Sequence, residues 1–97
     1  MKNLIIKAIE NMKLLEFNYQ GFYRVVEPHT FGTFSNGNEL LIAFQIDGGS
    51  SSRKPPFWSN FKLVEIEDLS LMEKSFLKPR EGYKRGDKRF KIIFSEL

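Results

Sequence analysis

Asn36-Gly37 is followed almost at once by the apolar run Leu40-Leu41-Ile42-Ala43-Phe44, and this pairing of signals limits the folds open to the chain. Asn-Gly suits the positive φ angles of a tight hairpin turn. Phe31 to Phe34 before it and Glu39 to Ile46 after it are therefore predicted to pair as antiparallel strands. Along the later strand, Leu40, Ile42, Phe44 and Ile46 share one face, and Leu41, Ala43 and Gln45 the other. A strand that is largely apolar on both faces must be covered on both, so it is expected to be central.

Other elements follow from changes of period. Leu4, Ile5, Ala8, Ile9 and Met12 recur at helical spacing, with Lys7, Glu10 and Asn11 between them and Asn3 as an expected N-cap. Leu15, Phe17 and Tyr19 then alternate with Glu16 and Asn18, the mark of a half-buried strand. Gln20-Gly21 signals a turn. A second strand starts near Tyr23, and Pro28, which has no N–H to donate, requires an edge or a bend there. A fourth strand is expected from Trp58 to Ile66, ended by Glu67-Asp68, and a short fifth from Leu69 to Met72. Phe90, Ile93, Phe94 and Leu97 fall at i, i+3, i+4 and i+7, which predicts a short terminal helix with Asp87 as its N-cap. Phe90, Ile92 and Phe94 also alternate as a strand would. The expected class is β-rich α+β: an N-terminal helix, a small five-stranded barrel of SH3-like or Sm-like kind, and a short C-terminal helix.

The chain of 97 residues suits a single domain over 1–97, with its core in 4–76 and a basic strap and helix in 77–97. Ten Phe predict a core filled by aromatic rings, and the absence of Cys excludes disulfides, thiol nucleophiles and Cys-ligated metals. Leu4-Ile5-Ile6 is too short a run for a signal peptide, and Leu40 to Phe44 is too short to cross a bilayer. A cytoplasmic protein with no membrane partner is expected. The net charge of +3 is concentrated: Lys78 to Lys91 holds seven Lys or Arg against Glu81 and Asp87.

Several residues are candidates for binding. Arg24 could grip a phosphate or carboxylate with its planar fork, or pair with Glu16 or Glu27. His29, the only His, is a structural imidazole or lies on a pocket rim; no nucleophile motif accompanies it and one His makes no metal site. Gly48, Gly49 and Ser50 to Ser52, before Arg53 and Lys54, could form an anion-binding nest or a plain loop. Lys62, Arg80, Tyr83, Lys84 and Arg85 form either a surface for single-stranded nucleic acid or a strap, with Tyr83 buried and Arg80 paired with an acid.

The order of these motifs resembles a WYL domain. "IIKAIENMKLLEFNYQGFYRVVEPHTFG" is similar to that family's opening: a helix with Ala8-Ile9, a strand ending in Tyr19 and Gly21, then Arg24 and the Glu27-Pro28 step. "NELLIAFQ" lies where the Trp-Tyr-Leu signature would fall, with Glu39 and Leu40 in place of Trp and Tyr and only Leu41 retained. "FWSNFKLVEIEDLSLMEKSF" resembles the following strand pair, with Lys62 and Glu65 where two arginines often stand. The likeness covers residues 4–76, and "FLKPREGYKRGDKRF" is similar to the tail of small stand-alone members.

The resemblance implies a non-catalytic domain of the kind found in bacterial transcription regulators and CRISPR-associated proteins. Such a domain senses an anionic ligand, either a nucleotide-like small molecule or single-stranded nucleic acid, and signals to a separate effector protein. It implies no cofactor. It also places Gln45, Ser50, Ser52 and Trp58 with the 48–54 loop. The combined expectation is one groove bordered by Arg24, that loop, Trp58, Lys62 and Arg80. The alternative is a homodimer or partner-docking protein with no ligand of its own.

Overall fold

The computed structural model describes residues 1–97. One helix, α1 (Lys2–Glu10), precedes six strands: β1 (Lys13–Tyr19), β2 (Phe22–Phe34), β3 (Glu39–Gly48), β4 (Phe57–Lys62), β5 (Ile66–Ser75) and β6 (Phe90–Glu96). A 3-10 turn at Leu63–Glu65 joins β4 to β5. The nine residues of α1 are too few to be stably helical alone. The helix is held by Ile5, Ala8 and Ile9, which sit one turn apart and are fully buried against the sheet. Its N-cap is Met1, with no side-chain cap, so Asn3 lies inside the helix and does not cap it.

All pairings are antiparallel, in the order β4-β3-β2-β1-β5, and β6 adds to β2. The thirteen-residue β2 organises the sheet. On one edge it pairs with β3 along nearly its whole length. On the other it pairs with β1 through its first half and with β6 through its second. Pro28 pairs opposite Ala43 and Thr30 opposite Ile42, so His29 is an extra residue that bends β2 at its missing donor. β3 does lie between two strands, and Leu40 to Ala43 are buried.

Two larger expectations, the closed barrel and the C-terminal helix, are corrected along with the local ones tied to them. The sheet is open and six-stranded and does not close into a barrel, because β4 and β5, at the ends of the order, share no ladder. Where closure would occur, the Lys62 N–H donates to the Tyr19 hydroxyl at 3.0 Å, and the chain turns through Leu63–Glu65. A side-chain oxygen thus takes the donor that a neighbouring strand would have used. The expected strand from Trp58 to Ile66 is divided at the same point. Asp68, at φ 54°, forms an irregularity within β5 and does not end a strand.

The second correction is at the C-terminus. Phe90–Glu96 is a strand, not a helix. Beyond Val26 the outer edge of β2 has no β1 to pair with, and β6 supplies the missing backbone partners from Thr30 to Phe34. The close approach needs Gly32: a Cβ there would overlap the Ile92 carbonyl oxygen and lie 2.9 Å from the Ile93 Cα. Asp87 caps no helix; its carboxylate accepts the Arg89 backbone N–H at 3.0 Å and grips the Arg89 guanidinium.

The main core contains Ile5, Ala8, Ile9, Leu15, Phe17, Tyr19, Val26, Phe31, Leu41, Ala43, Phe61 and Ile66 beneath α1. Phe17, Tyr19 and Phe61 meet edge to face at 4.9–6.5 Å. A second small cluster, Leu14, Val25 and Phe76, is separate from this core, and residues 80–83 lie over Glu27, His29, Phe44 and Trp58. No helix is long and apolar enough to cross a membrane.

Candidate anion site

Adjacent residues in a strand point to opposite faces, and the candidate residues divide accordingly. In β3, Gln45 turns to Arg24 and the 47–49 loop, and Phe44 lies under Arg80. In β4, Phe57 and Trp58 divide in the same way, paired with Gln45 and Phe44. Two separate clusters result, where one groove was expected.

The first cluster centres on Arg24, which is only 4% exposed. Its Nη1 donates to Gln45 Oε1 at 3.1 Å and its Nη2 to the Tyr19 carbonyl at 3.1 Å. Its guanidinium carbon lies 5.4–5.7 Å from the ring centres of Tyr19, Phe22 and Phe61. No carboxylate lies within ion-pair distance: neither Glu16 nor Glu27 pairs with it. Its Nε is buried with no partner, the one such side-chain atom in the protein. Burial holds the guanidinium's pKa below its ordinary value. A buried cation facing only neutral acceptors and ring faces is costly unless something else supplies negative charge.

Gln45, fully buried, connects Arg24 to the glycine-serine loop. Its Nε2 donates to the Asp47 carbonyl at 3.1 Å and to the Gly49 carbonyl at 3.1 Å. Gly48 stands at φ 92°, where a Cβ would overlap the Tyr23 carbonyl oxygen, so the loop departs close against β2. Ser50 shapes the loop: its Oγ donates to the Arg53 carbonyl at 2.7 Å and accepts the Arg53 N–H at 2.9 Å. Its hydroxyl is thereby occupied. Ser51, Ser52, Arg53 and Asn60 line, with Arg24, a cavity of about 200 Å³. No Asp or Glu lines it.

The second cluster is structural. His29 is fully buried in the β2 bend. The Arg80 backbone N–H donates to His29 Nε2 at 3.1 Å, which leaves the proton on Nδ1 to donate to the Glu27 carbonyl at 2.8 Å. Burial, above all, pushes this imidazole's pKa below its ordinary value, against the upward pull of Glu27. Its ring meets Trp58 at 4.6 Å, Tyr83 at 5.2 Å and Phe76 at 5.6 Å. Arg80 clasps the Glu27 carboxylate with Nε at 2.7 Å and Nη2 at 2.9 Å, and lies over Phe44. That bidentate bond raises the Arg80 pKa. Trp58 Nε1 donates to the Glu81 carbonyl at 3.1 Å, and the Tyr83 hydroxyl to the Leu97 carbonyl at 2.8 Å.

So the structure gathers Arg24, Gln45, Ser50 and Ser52 on one side, and His29, Trp58, Arg80 and Tyr83 on the other. The second set has the geometry of a strap. Lys62 belongs to neither cluster; its side chain is exposed. Tyr19, Ser51, Arg53 and Asn60 also belong to the cavity. Ser51 and Arg53 stood out in the sequence as part of the glycine-serine loop and its cations, and Tyr19 as the end of a strand; Asn60 carried no signal of a binding role.

The fold is thus a one-helix, six-stranded antiparallel α+β domain with a buried unpaired arginine beside a hydroxyl-rich loop. In comparisons with known proteins, no family model, curated protein or solved structure matches the chain. No group of three or more His, Asp or Glu is placed to hold a metal ion.

Proposed function

We propose that this chain is a non-catalytic, ligand-sensing module of the WYL kind, and that it takes up a compact anion at Arg24. One observation carries the reading: a guanidinium 4% exposed has no counter-charge and an unpartnered Nε, and lines a polar cavity. An incoming phosphate or carboxylate oxygen would satisfy that Nε and neutralise the charge. Ser51, Ser52 and Arg53 add donors from the loop. A cavity of about 200 Å³ is smaller than most whole-ligand pockets. It takes the anionic end of a nucleotide-like small molecule, with the remainder outside. Through Gln45, binding would set the loop's position, and the loop would transmit the event to a separate effector protein.

Calorimetric titration with inorganic phosphate and with AMP, at low and high salt, tests this. Both anions should bind, more weakly at high salt. One charge-assisted hydrogen bond is worth about 1.5–3 kcal/mol, so Arg24→Met should weaken binding about 10- to 150-fold. Arg53→Ala, at an exposed position, should weaken it without affecting folding. If wild type takes up neither anion, or Arg24→Met binds as well as wild type, the site is not an anion site.

A further inference from the structure

A concavity of about 1100 Å³ lies between residues 82–89 and the sheet at Thr30, Ile42 and β4, and it shares Arg53, Ser59 and Asn60 with the Arg24 cavity. Trp58, Ser59 and Asn60, three consecutive strand residues, all line it. Successive side chains leave opposite faces, so a groove touched by all three reaches the strand's edge, and Thr30 and Ile42 continue it inward along the row paired with Asn60. That edge is free, since β4 pairs only with β3.

Its outer polar groups are partly capped from within. Arg53 Nη2 donates to the Trp58 carbonyl at 3.2 Å, and the Lys62 N–H is held by Tyr19. By the two-residue period of an antiparallel ladder, Asn60 also turns its N–H and C=O outward. Nothing within the molecule caps them there, and Asn60 is exposed. Unpaired edge groups of this kind accept an added strand.

The facing wall is cationic. Lys84 and Lys88 are exposed and in no ion pair. The only carboxylate lining the groove, Asp87, is engaged by Arg89 at 2.6 Å, and Arg85 is turned to Glu96. The aromatic rings are not free platforms for bases: Trp58 lies between His29 and Phe44, and Tyr83 lies on His29. The groove therefore offers backbone pairing at one wall and two uncommitted ammonium groups at the other.

We propose that the free edge of β4 docks an extended acidic segment of another protein. The segment adds as a strand at Asn60 and turns carboxylates toward Lys84 and Lys88. The docking rests on the β4 edge and the two lysines and not on Arg24 itself, although Arg53 and Asn60 border both sites.

The probe is a capped seven-residue peptide alternating Glu and Val, added to the full chain and followed by amide NMR. The peptide should bind and slow exchange of the Asn60 amide. Lys84→Glu with Lys88→Glu should weaken binding roughly tenfold or more, whereas Arg24→Met should leave it unchanged. Asn60→Pro removes the outward donor at an edge position that tolerates proline, and it should abolish binding while a thermal melt shows the fold retained. A lysine-valine peptide should not bind. The proposal is overturned if the acidic peptide fails to bind, or binds without protecting Asn60. It is equally overturned if oligothymidylate occupies the groove more tightly than the peptide, or if the free protein already buries this edge in a dimer.

Discussion

The Glu27–Arg80 pair should respond unequally to loss of its two members. The Glu27 side chain is 5% exposed and the Arg80 side chain 47%. Arg80→Met withdraws two donors, at 2.7 Å and 2.9 Å, from a carboxylate that is almost wholly shielded from water. Leaving a buried charge unpaired costs about 3–5 kcal/mol. Arg80 is half in water, so its screening role is already shared, and we discount the figure to about 2–3 kcal/mol. Glu27→Gln leaves an uncharged side chain of the same shape, which still accepts one N–H, while the guanidinium returns to solvent. Its expected cost is about 1 kcal/mol. For a domain of this size the two variants should melt roughly 10–20 °C and about 5 °C below wild type. The double variant should be more stable than Arg80→Met alone, because it removes the stranded charge. Urea unfolding of all four proteins, with unchanged slopes, reads these differences. Equal losses for the two single variants, or a double variant with the sum of both, would refute the asymmetry argument.

The His29 imidazole gives a pH-dependent counterpart. Its folded pKa lies below the unfolded value of about 6.5, so below that pH the unfolded chain binds the proton more readily. Stability should therefore fall as pH drops through about 6.5 and continue falling to the folded pKa, by at most about 1.4 kcal/mol per pH unit. The charged groups acting on the ring are the Glu27 carboxylate and the Arg80 guanidinium, and the titratable Tyr83 packs its ring against it with the hydroxyl bonded to the Leu97 carbonyl. Urea midpoints at neutral and mildly acid pH should separate for wild type and converge for His29→Gln; parallel losses would show that other groups dominate. Gly32→Ala should displace β6, since backbone of Ile92 and Ile93 occupies the Cβ position. Amide exchange should quicken in Phe90–Glu96 before the rest of the sheet, and unchanged protection there would contradict the packing argument.

What the amino-acid order determined by itself is the local part of the fold. The helical spacing of Ile5, Ala8 and Ile9, the alternation of Leu15, Phe17 and Tyr19, the Asn36-Gly37 turn and the bend at Pro28 depend on neighbours a few positions away. Propensity and period register such neighbours directly. The eight residues from Phe90 to Leu97 satisfy both periods, and what decided between them was the vacant edge of β2, far away in the sequence. Closure into a barrel was decided in the same way, by where the Tyr19 hydroxyl meets Lys62, 43 residues later.

The candidate site divides along the same line. The glycine-serine loop and Arg24 stood out by composition and by family likeness. Which arginine is free and which is spent could only emerge from partners brought together over 21 residues for Gln45 and 53 for Glu27. Electrostatic pairing acts through space and has no period along the chain. Only the tertiary structure shows that Glu27 reaches Arg80 across the sheet, and that Arg24 is left without a counter-charge.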